Sequence, residues 1–314
     1  ITLCCAPDWM TSLGSATSTY PLLPPTPQHY ADFADLARRV ALRYPDVKYY
    51  QVWNEMKGFW NPSTNNWDYV AYTTLYNQVY DALKGVDPTI SVGGPYLVIE
   101  GTGSSLGDWS TAAPISSRNL AVIDYWLASK HGADFITVDR SVVDSHDTHS
   151  YTQAELLNLT SWFGSVTKQL AARTNLPIWW AEDYFVGAND WSFQAAGFAS
   201  ILYNELRGGA SVSLRWQPQG IASGAFGGND QNLFSDTRLV GGGQPFPTYP
   251  VYKAFHDGFG PGTTLYKTTS SSPDVEVLAS ASKTLLINMR SVPVNLSVNG
   301  ALLQLRAHEV RVLG

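Results

Sequence analysis

Charge is scarce in this 314-residue chain: Asp, Glu, Lys and Arg together make up 15% of it. The balance is acidic, with 20 Lys and Arg against 26 Asp and Glu, a net charge of −6. A nucleic-acid partner calls for a basic face, so this composition argues against one. No apolar run approaches the roughly 18 residues of a membrane-spanning helix. There is no signal peptide and no initiator Met, and Ile1 opens inside an apolar run. The start therefore reads as processed or truncated. Cysteine is nearly missing: Cys4 and Cys5 are the only two, and they are adjacent. Neighbours in a strand point to opposite faces, so the pair reads as buried thiols rather than a disulfide, redox pair or metal site.

What is present is apolar and aromatic. Hydrophobic residues make up 44%, enough for one large domain with a small appendage. Aromatics reach 13%, with 11 Trp. Most such rings serve a core, but those near strand ends, Trp9, Trp60 and Trp216, are candidates for stacking on sugar faces. Few lysines, many Ser and Thr, and the sequons Asn158-Leu159-Thr160 and Asn295-Leu296-Ser297 lean towards a secreted or extracytoplasmic protein.

Two stretches share one form. Tyr49-Tyr50-Gln51-Val52-Trp53-Asn54-Glu55 reads as a buried strand ending in a polar pair. Leu176-Pro177-Ile178-Trp179-Trp180-Ala181-Glu182-Asp183-Tyr184 does the same 127 residues later. Between and around them, apolar runs alternate with helical spacing, which implies parallel strands joined by helical crossovers. Helices are expected near 29–44, 67–83, 119–131, 154–172, 192–206 and 251–259. Strands are expected near 1–5, 49–53, 90–93, 135–138, 178–181 and 210–215. That is six strands where a closed (β/α) barrel has eight, so the fold expected over 1–262 is an incomplete TIM-type barrel. Short strands take over from residue 263, with Asn299-Gly300 as a hairpin turn. Residues 263–314 read as a small antiparallel, sandwich-like β module.

Carboxylates at strand tips are where such a barrel keeps its chemistry. Glu55 and Glu182 fit the two roles of a retaining glycosidase, an acid/base and a nucleophile. Asn54 can donate to a sugar hydroxyl, and Tyr184 sits beside the second glutamate. Asp144-Ser145-His146-Asp147-Thr148-His149 matches no standard ligand spacing, so no metal is expected. The Gly-rich run 101–107 lacks the spacing of a dinucleotide site, and no cofactor is implied.

Lys48 to Glu55, then Phe59-Trp60, then Val86-Asp87-Pro88-Thr89-Ile90-Ser91-Val92-Gly93-Gly94-Pro95, resembles glycoside hydrolase family 39 of clan A. The likeness covers roughly residues 1–260. It implies an acid/base in Trp-Asn-Glu after the fourth strand, at Glu55, and a nucleophile after the seventh, at Glu182. It implies a retaining mechanism on β-glycosidic bonds, xylosidase-like first, with no cofactor. The family's sixth strand ends in His then Tyr, where this chain has Asp139-Arg140-Ser141. Either Asp139 takes that place or His146 or His149 reaches in from the loop. The family's first two strands are missing, so a second protomer or an N-terminal segment is expected to cover the open edge. The rival reading is a carbohydrate-binding or scaffold protein that keeps the pocket without turnover.

Overall fold

The computed structural model describes residues 1–13, 22–101, 113–143, 149–185, 190–216, 218–220 and 232–314. Six parallel strands form one curled sheet: β1 (Thr2–Leu3), β2 (Tyr49–Val52), β5 (Ser91–Val98), β6 (Phe135–Ser141), β7 (Ile178–Tyr184) and β8 (Val212–Ser213). Neighbours in sequence order are neighbours in the sheet, and every pairing is parallel. Helices α1 (Tyr30–Arg43), α2 (Tyr69–Val86), α3 (Ser117–Ser129), α4 (Gln153–Leu159), α5 (Ser161–Ala171), α6 (Trp191–Gly208) and α7 (Thr248–Phe259) make the crossovers and the outer layer. The sheet ends on β1 and β8, so it is an incomplete TIM-type barrel among the described residues.

Several boundaries differ from the sequence expectation, each for a local reason. Residues 56–66 hold a short hairpin, β3 (Trp60–Asn61) with β4 (Asn66–Trp67). Helix α2 therefore starts later, at the Asp68 carboxylate that accepts the Ala71 N–H at 2.9 Å. It runs through Gly85 to Val86 and ends at Asp87, whose N–H bonds the Leu83 carbonyl, so Gly85 is not its stop. The single helix expected over 154–172 is two, broken at Thr160, whose hydroxyl bonds the Leu157 carbonyl and Ser200. Strands β1 and β8 are each two residues long, shorter than their apolar runs suggested.

The two cysteines are a correction. Cys4 and Cys5 form a disulfide, with a cis peptide between them and Cα atoms 3.0 Å apart. The alternation argument holds for a trans strand, and β1 has ended at Leu3.

Tyr50, Val52, Val92, Ile136, Val138, Ile178 and Trp180 are fully or almost fully buried in the main core of the sheet and its helices. Trp180 donates its indole N–H to the Thr167 hydroxyl at 3.0 Å and lies on Phe163, which ties β7 to α5. On the concave side, Phe135 stacks on Trp179 with centroids 4.0 Å apart, and Tyr49 meets Trp179 at 5.2 Å. Gly93 and Gly94 serve both faces. A Cβ at Gly93 would sit 2.2 Å from the Phe135 ring, and one at Gly94 would sit 2.7 Å from the Tyr72 hydroxyl. The Gly-Gly pair thus admits an aromatic floor on one side and the α2 tyrosines on the other.

The C-terminal part has two small antiparallel sheets. Strands β9 (Val275–Ala279), β10 (Thr284–Asn288) and β13 (Val310–Leu313) pair in the order β13-β10-β9, and β11 (Val294–Val298) pairs with β12 (Ala301–Leu305). Asn299 and Gly300 both have positive φ, 51° and 83°, as their two-residue hairpin demands. Alternation along β10 gives it two partners: Leu285 and Ile287 join the main core, while Leu286 packs with Val275 and Leu305.

Candidate active site

Glu55 follows β2, but the chain does not leave that strand in an ordinary way. Trp53, Glu55 and Met56 have φ values of 69°, 52° and 50°, a left-handed region costly for side chains of this size. Each such residue costs about 1–3 kcal/mol and is found where the surroundings hold it. Those surroundings are visible here. The Trp53 indole is fully buried between Phe33 and Phe59 and donates to the Lys57 carbonyl at 2.7 Å. The Lys57 N–H returns a bond to the Asn54 carbonyl at 3.0 Å. This turn leaves Asn54 half-buried and sets the Lys57 ammonium against the Glu55 carboxylate in an ion pair.

Glu182 reaches the same space through a bulge. In β7, Trp179 lies on the concave side over Phe135, and Trp180 faces α5. Strict alternation would then send Glu182 to the helices with Trp180. The register between β6 and β7 shifts by one residue at Ala181, so Val138 pairs with Trp180 but Asp139 with Glu182. That extra residue turns Glu182 inward beside Asp139. A second shift in β5 at Tyr96, with φ of 52°, does the same for a phenol. The hydroxyls of Tyr96 and Tyr184 each donate to one oxygen of Glu182.

The result is a trio of carboxyls: one oxygen from each of Glu55, Asp139 and Glu182 lies within 4.8 Å of the others. Asp139 is 2% exposed, with a carboxyl oxygen within 4.8 Å of one from Glu55. Burial, then the charges of Glu55 and Glu182, push its carboxyl well above the usual range, against the pull of Lys57. Burial also raises Glu182, while the two phenols and Lys57 work to keep it ionised. Burial and the Glu182 charge push Tyr96 and Tyr184 far up, so both stay protonated donors. Lys57 loses by burial but gains more from Glu55, Glu182 and Asp139, and its net shift is upward. Three converging oxygens are also a spacing a divalent cation can bridge. Here protein donors meet two of them: two phenols on Glu182 and an ammonium on Glu55.

A cavity of about 450 Å³ opens beside the trio, lined by Glu55 and Asp139 with Lys57, Trp60, Arg140 and Tyr184, while Glu182 lies behind its lining, under the Tyr184 hydroxyl. Trp60, on β3, is 43% exposed, braced edge-on by Trp67 with Arg118 over its face at 5.2 Å. Trp216 lies 6.0 Å from the Tyr184 ring, one layer further out. Trp9 and His149 do not line this cavity. Trp9 is exposed and meets His29 edge-on, and His149 is exposed beside Tyr151 and Glu155. His146 and the Gly-rich run beyond Gly101 lie outside the described residues. A larger cavity of about 830 Å³ lies beside β8, between α6 and α7, and holds no member of the trio.

Sequence reasoning missed Tyr96 and Lys57. Tyr96 follows Gly93-Gly94-Pro95, which reads as a strand exit, and only the pairing with β6 reveals a bulge. Lys57 sits two residues after Glu55, a spacing with no meaning until the left-handed turn is known.

No protein-family model matches this chain, and no curated protein matches it by sequence. Solved structures do match. A monomeric β-xylosidase from Caulobacter crescentus CB15 aligns over 92% of this chain and 58% of its own, with 19% identity and a TM-score of 0.57. A family 39 glycoside hydrolase from the gut symbiont Bacteroides cellulosilyticus WH2 aligns over 95% and 64%, with 15% identity and a TM-score of 0.58. A conserved exported protein from Bacteroides fragilis aligns over 98% and 74%, with 16% identity and a TM-score of 0.63. The chain thus spans a little over half the length of the xylosidase it matches. At these identities the likeness concerns the fold: the chain carries an incomplete (β/α) barrel of the kind found in family 39 glycoside hydrolases.

Proposed function

We propose that this protein is a retaining glycosidase acting on β-glycosidic bonds of plant or microbial saccharides, with a xyloside as the first substrate to try. The observation that carries the reading is the approach of Glu55 and Glu182 across the barrel mouth, with oxygens within 4.8 Å. Retaining enzymes hold their carboxyls about 5–5.5 Å apart, whereas inverting ones need about 6.5–9.5 Å to admit a water. Glu182, held by two phenols, is the nucleophile and attacks the anomeric carbon. Glu55 gives its proton to the leaving oxygen, then takes one from the water that releases the sugar. Trp60 and, further out, Trp216 offer ring faces to the sugar, and Asn54 is the donor to its 2-hydroxyl.

The Cys4–Cys5 disulfide and the sequons fit an extracytoplasmic setting. No helix among the described residues is long and apolar enough to cross a membrane. A second copy of the chain is the proposed cover for the open β1 and β8 edges, which proteins rarely leave bare. The rival, a carbohydrate-binding protein without turnover, draws on those open edges and on the ammonium that occupies Glu55. One assay separates them: aryl glycosides with native protein and with Glu182→Ala, with and without azide. Turnover of one sugar, lost in the variant and rescued as the α-glycosyl azide that a single inversion from the vacated nucleophile side produces, supports the enzyme. Sugar binding with no turnover on any glycoside supports the rival.

A further inference from the structure

The trio holds one carboxyl more than a retaining mechanism uses. We propose that Asp139 stores the proton that Glu55 delivers, the two carboxyls acting as one proton-sharing pair in which Lys57 tips the resting proton onto Asp139. The inference rests on the glycosidase reading for its consequence, but the pair itself is a property of the resting protein.

Three carboxyl oxygens within 4.8 Å of one another, with an ammonium on Glu55 alone, cannot all stay charged at low cost, so the cluster holds a proton. Its position follows from the neighbours. Glu55 has an ammonium directly on its carboxylate and keeps 11% of its side chain exposed. Asp139 is 2% exposed, and its Oδ1 has no protein partner among the described residues. The charge therefore settles on Glu55 and the proton on Asp139. Every facing element agrees. Tyr96 from β5 and Tyr184 from β7 give their hydrogens to Glu182, not to Asp139. The charges of Glu55 and Glu182 oppose ionisation of Asp139, and among the described residues Lys57 favours it. Arg140, next on β6, turns away to the Ile99 carbonyl at 3.1 Å and the Trp162 face at 5.0 Å.

A glutamate that rests with an ammonium on its carboxylate has no proton of its own to give, and the pair resolves this. As the glycosidic oxygen approaches Glu55, the Asp139 O–H transfers its proton to the Glu55 carboxylate, and Glu55 passes that proton to the leaving oxygen. The C–O bond to the leaving group breaks as the bond from Glu182 to the anomeric carbon forms. Asp139 is left as a carboxylate, compensated by Lys57. In the second half, water attacks the anomeric carbon, the bond to Glu182 breaks, and the water's proton passes through Glu55 back to Asp139. Protons and charges balance over the cycle. Asp139 is thus a positioning residue that acts through Glu55.

The test has two arms on the intact chain. In the first, carboxyl infrared or ¹³C NMR titration of the resting protein follows protonated carboxyls without any sugar. A protonated-carboxyl signal at neutral pH that is lost in Asp139→Asn, while those of the other buried acids Glu205 and Glu276 stay, is the expected result. An unchanged protonated signal in the variant overturns the proposal. In the second arm, pH profiles of kcat/KM are taken on aryl glycosides with poor and good leaving groups. Asp139→Asn should move the alkaline limb down by about one pH unit or more and cost about 10²-fold on the poor leaving group. The good leaving group should lose much less. Lys57→Met, at a side chain 38% exposed, should move the limb the other way. Equal losses on both leaving groups with an unmoved limb make Asp139 structural and overturn the proposal. If the native protein turns over no glycoside, the glycosidase reading fails, while the titration still decides the pair.

Discussion

Glu182 and Asp183 are neighbours on one strand, both almost fully buried, and they lead opposite lives. Asp183 faces the helices, where the Arg215 guanidinium meets it at 3.0 Å, the Ser213 hydroxyl at 3.0 Å and the Tyr252 hydroxyl at 3.3 Å. Arg215 is 4% exposed, also donates to the Asp183 carbonyl at 2.7 Å, and lies 3.9 Å over the Phe198 ring. That carboxylate has a fixed counter-charge and near-complete hydrogen bonding, so it anchors β7 to β8, α6 and α7. Glu182 has only neutral phenols on its oxygens and two other carboxyls close by. A buried carboxylate whose partners are neutral donors and rival acids keeps a free-energy reason to react or to take a proton; burial raises Asp183 as well, but there a buried arginine opposes it directly.

Substitution on the two faces should therefore separate activity from stability. The largest effect is expected for Glu182→Ala: turnover falls by about 10⁴-fold or more, as loss of a nucleophile does elsewhere. The melting temperature should stay level or rise, because burial already disfavours the Glu182 charge. A collapse in stability would erase the contrast between the faces. Next comes Asp183→Asn, which strands the Arg215 charge in the core. Urea titration should show a loss of about 3–5 kcal/mol, with kcat per folded molecule nearly kept. Tyr96→Phe then sharpens the inner face. Removing one hydrogen bond to a charged oxygen is worth about 1.5–3 kcal/mol, read here as kcat lower by about 10- to 150-fold with little change in KM.

The smallest effect belongs to a third buried carboxyl outside both clusters. Glu276 on β9 meets Asn204 of α6 at 3.3 Å, and burial raises its carboxyl to about 7. The folded protein thus binds this proton more tightly than the unfolded chain, whose group titrates near 4.5. The associated stability is full below pH 4.5, shrinks as pH rises and is gone above about pH 7. Glu276→Gln should flatten that slope in melting temperature between these pH values. An unaltered slope would assign it to other groups.

Much of the fold is legible in the residues themselves. Apolar runs of strand length alternate with helical spacing, so parallel strands and crossovers follow from local periodicity. Both glutamates stand out for the same reason, at the ends of Tyr- and Trp-rich runs. Asp139 is visible as a strand-end acid, though its contact with Glu55 is not. Trp9 shows the limit of that logic: an indole after a strand matches a sugar platform in sequence, yet it packs against His29 away from the cavity.

By itself the sequence determined the alternating architecture, the six-strand count, the Asn299-Gly300 hairpin and the two strand-end glutamates, because each is written in contiguous residues. Tertiary structure alone decided which way those glutamates point. The one-residue shifts at Ala181 and Tyr96 exist only relative to a neighbouring strand, and each reverses the face that alternation assigns. The Lys57 ion pair needs a left-handed turn, and the Cys4–Cys5 bond needs a cis peptide, neither of which composition reveals. Periodicity is a local property, whereas a shared proton is a property of atoms brought together from residues 55 and 139.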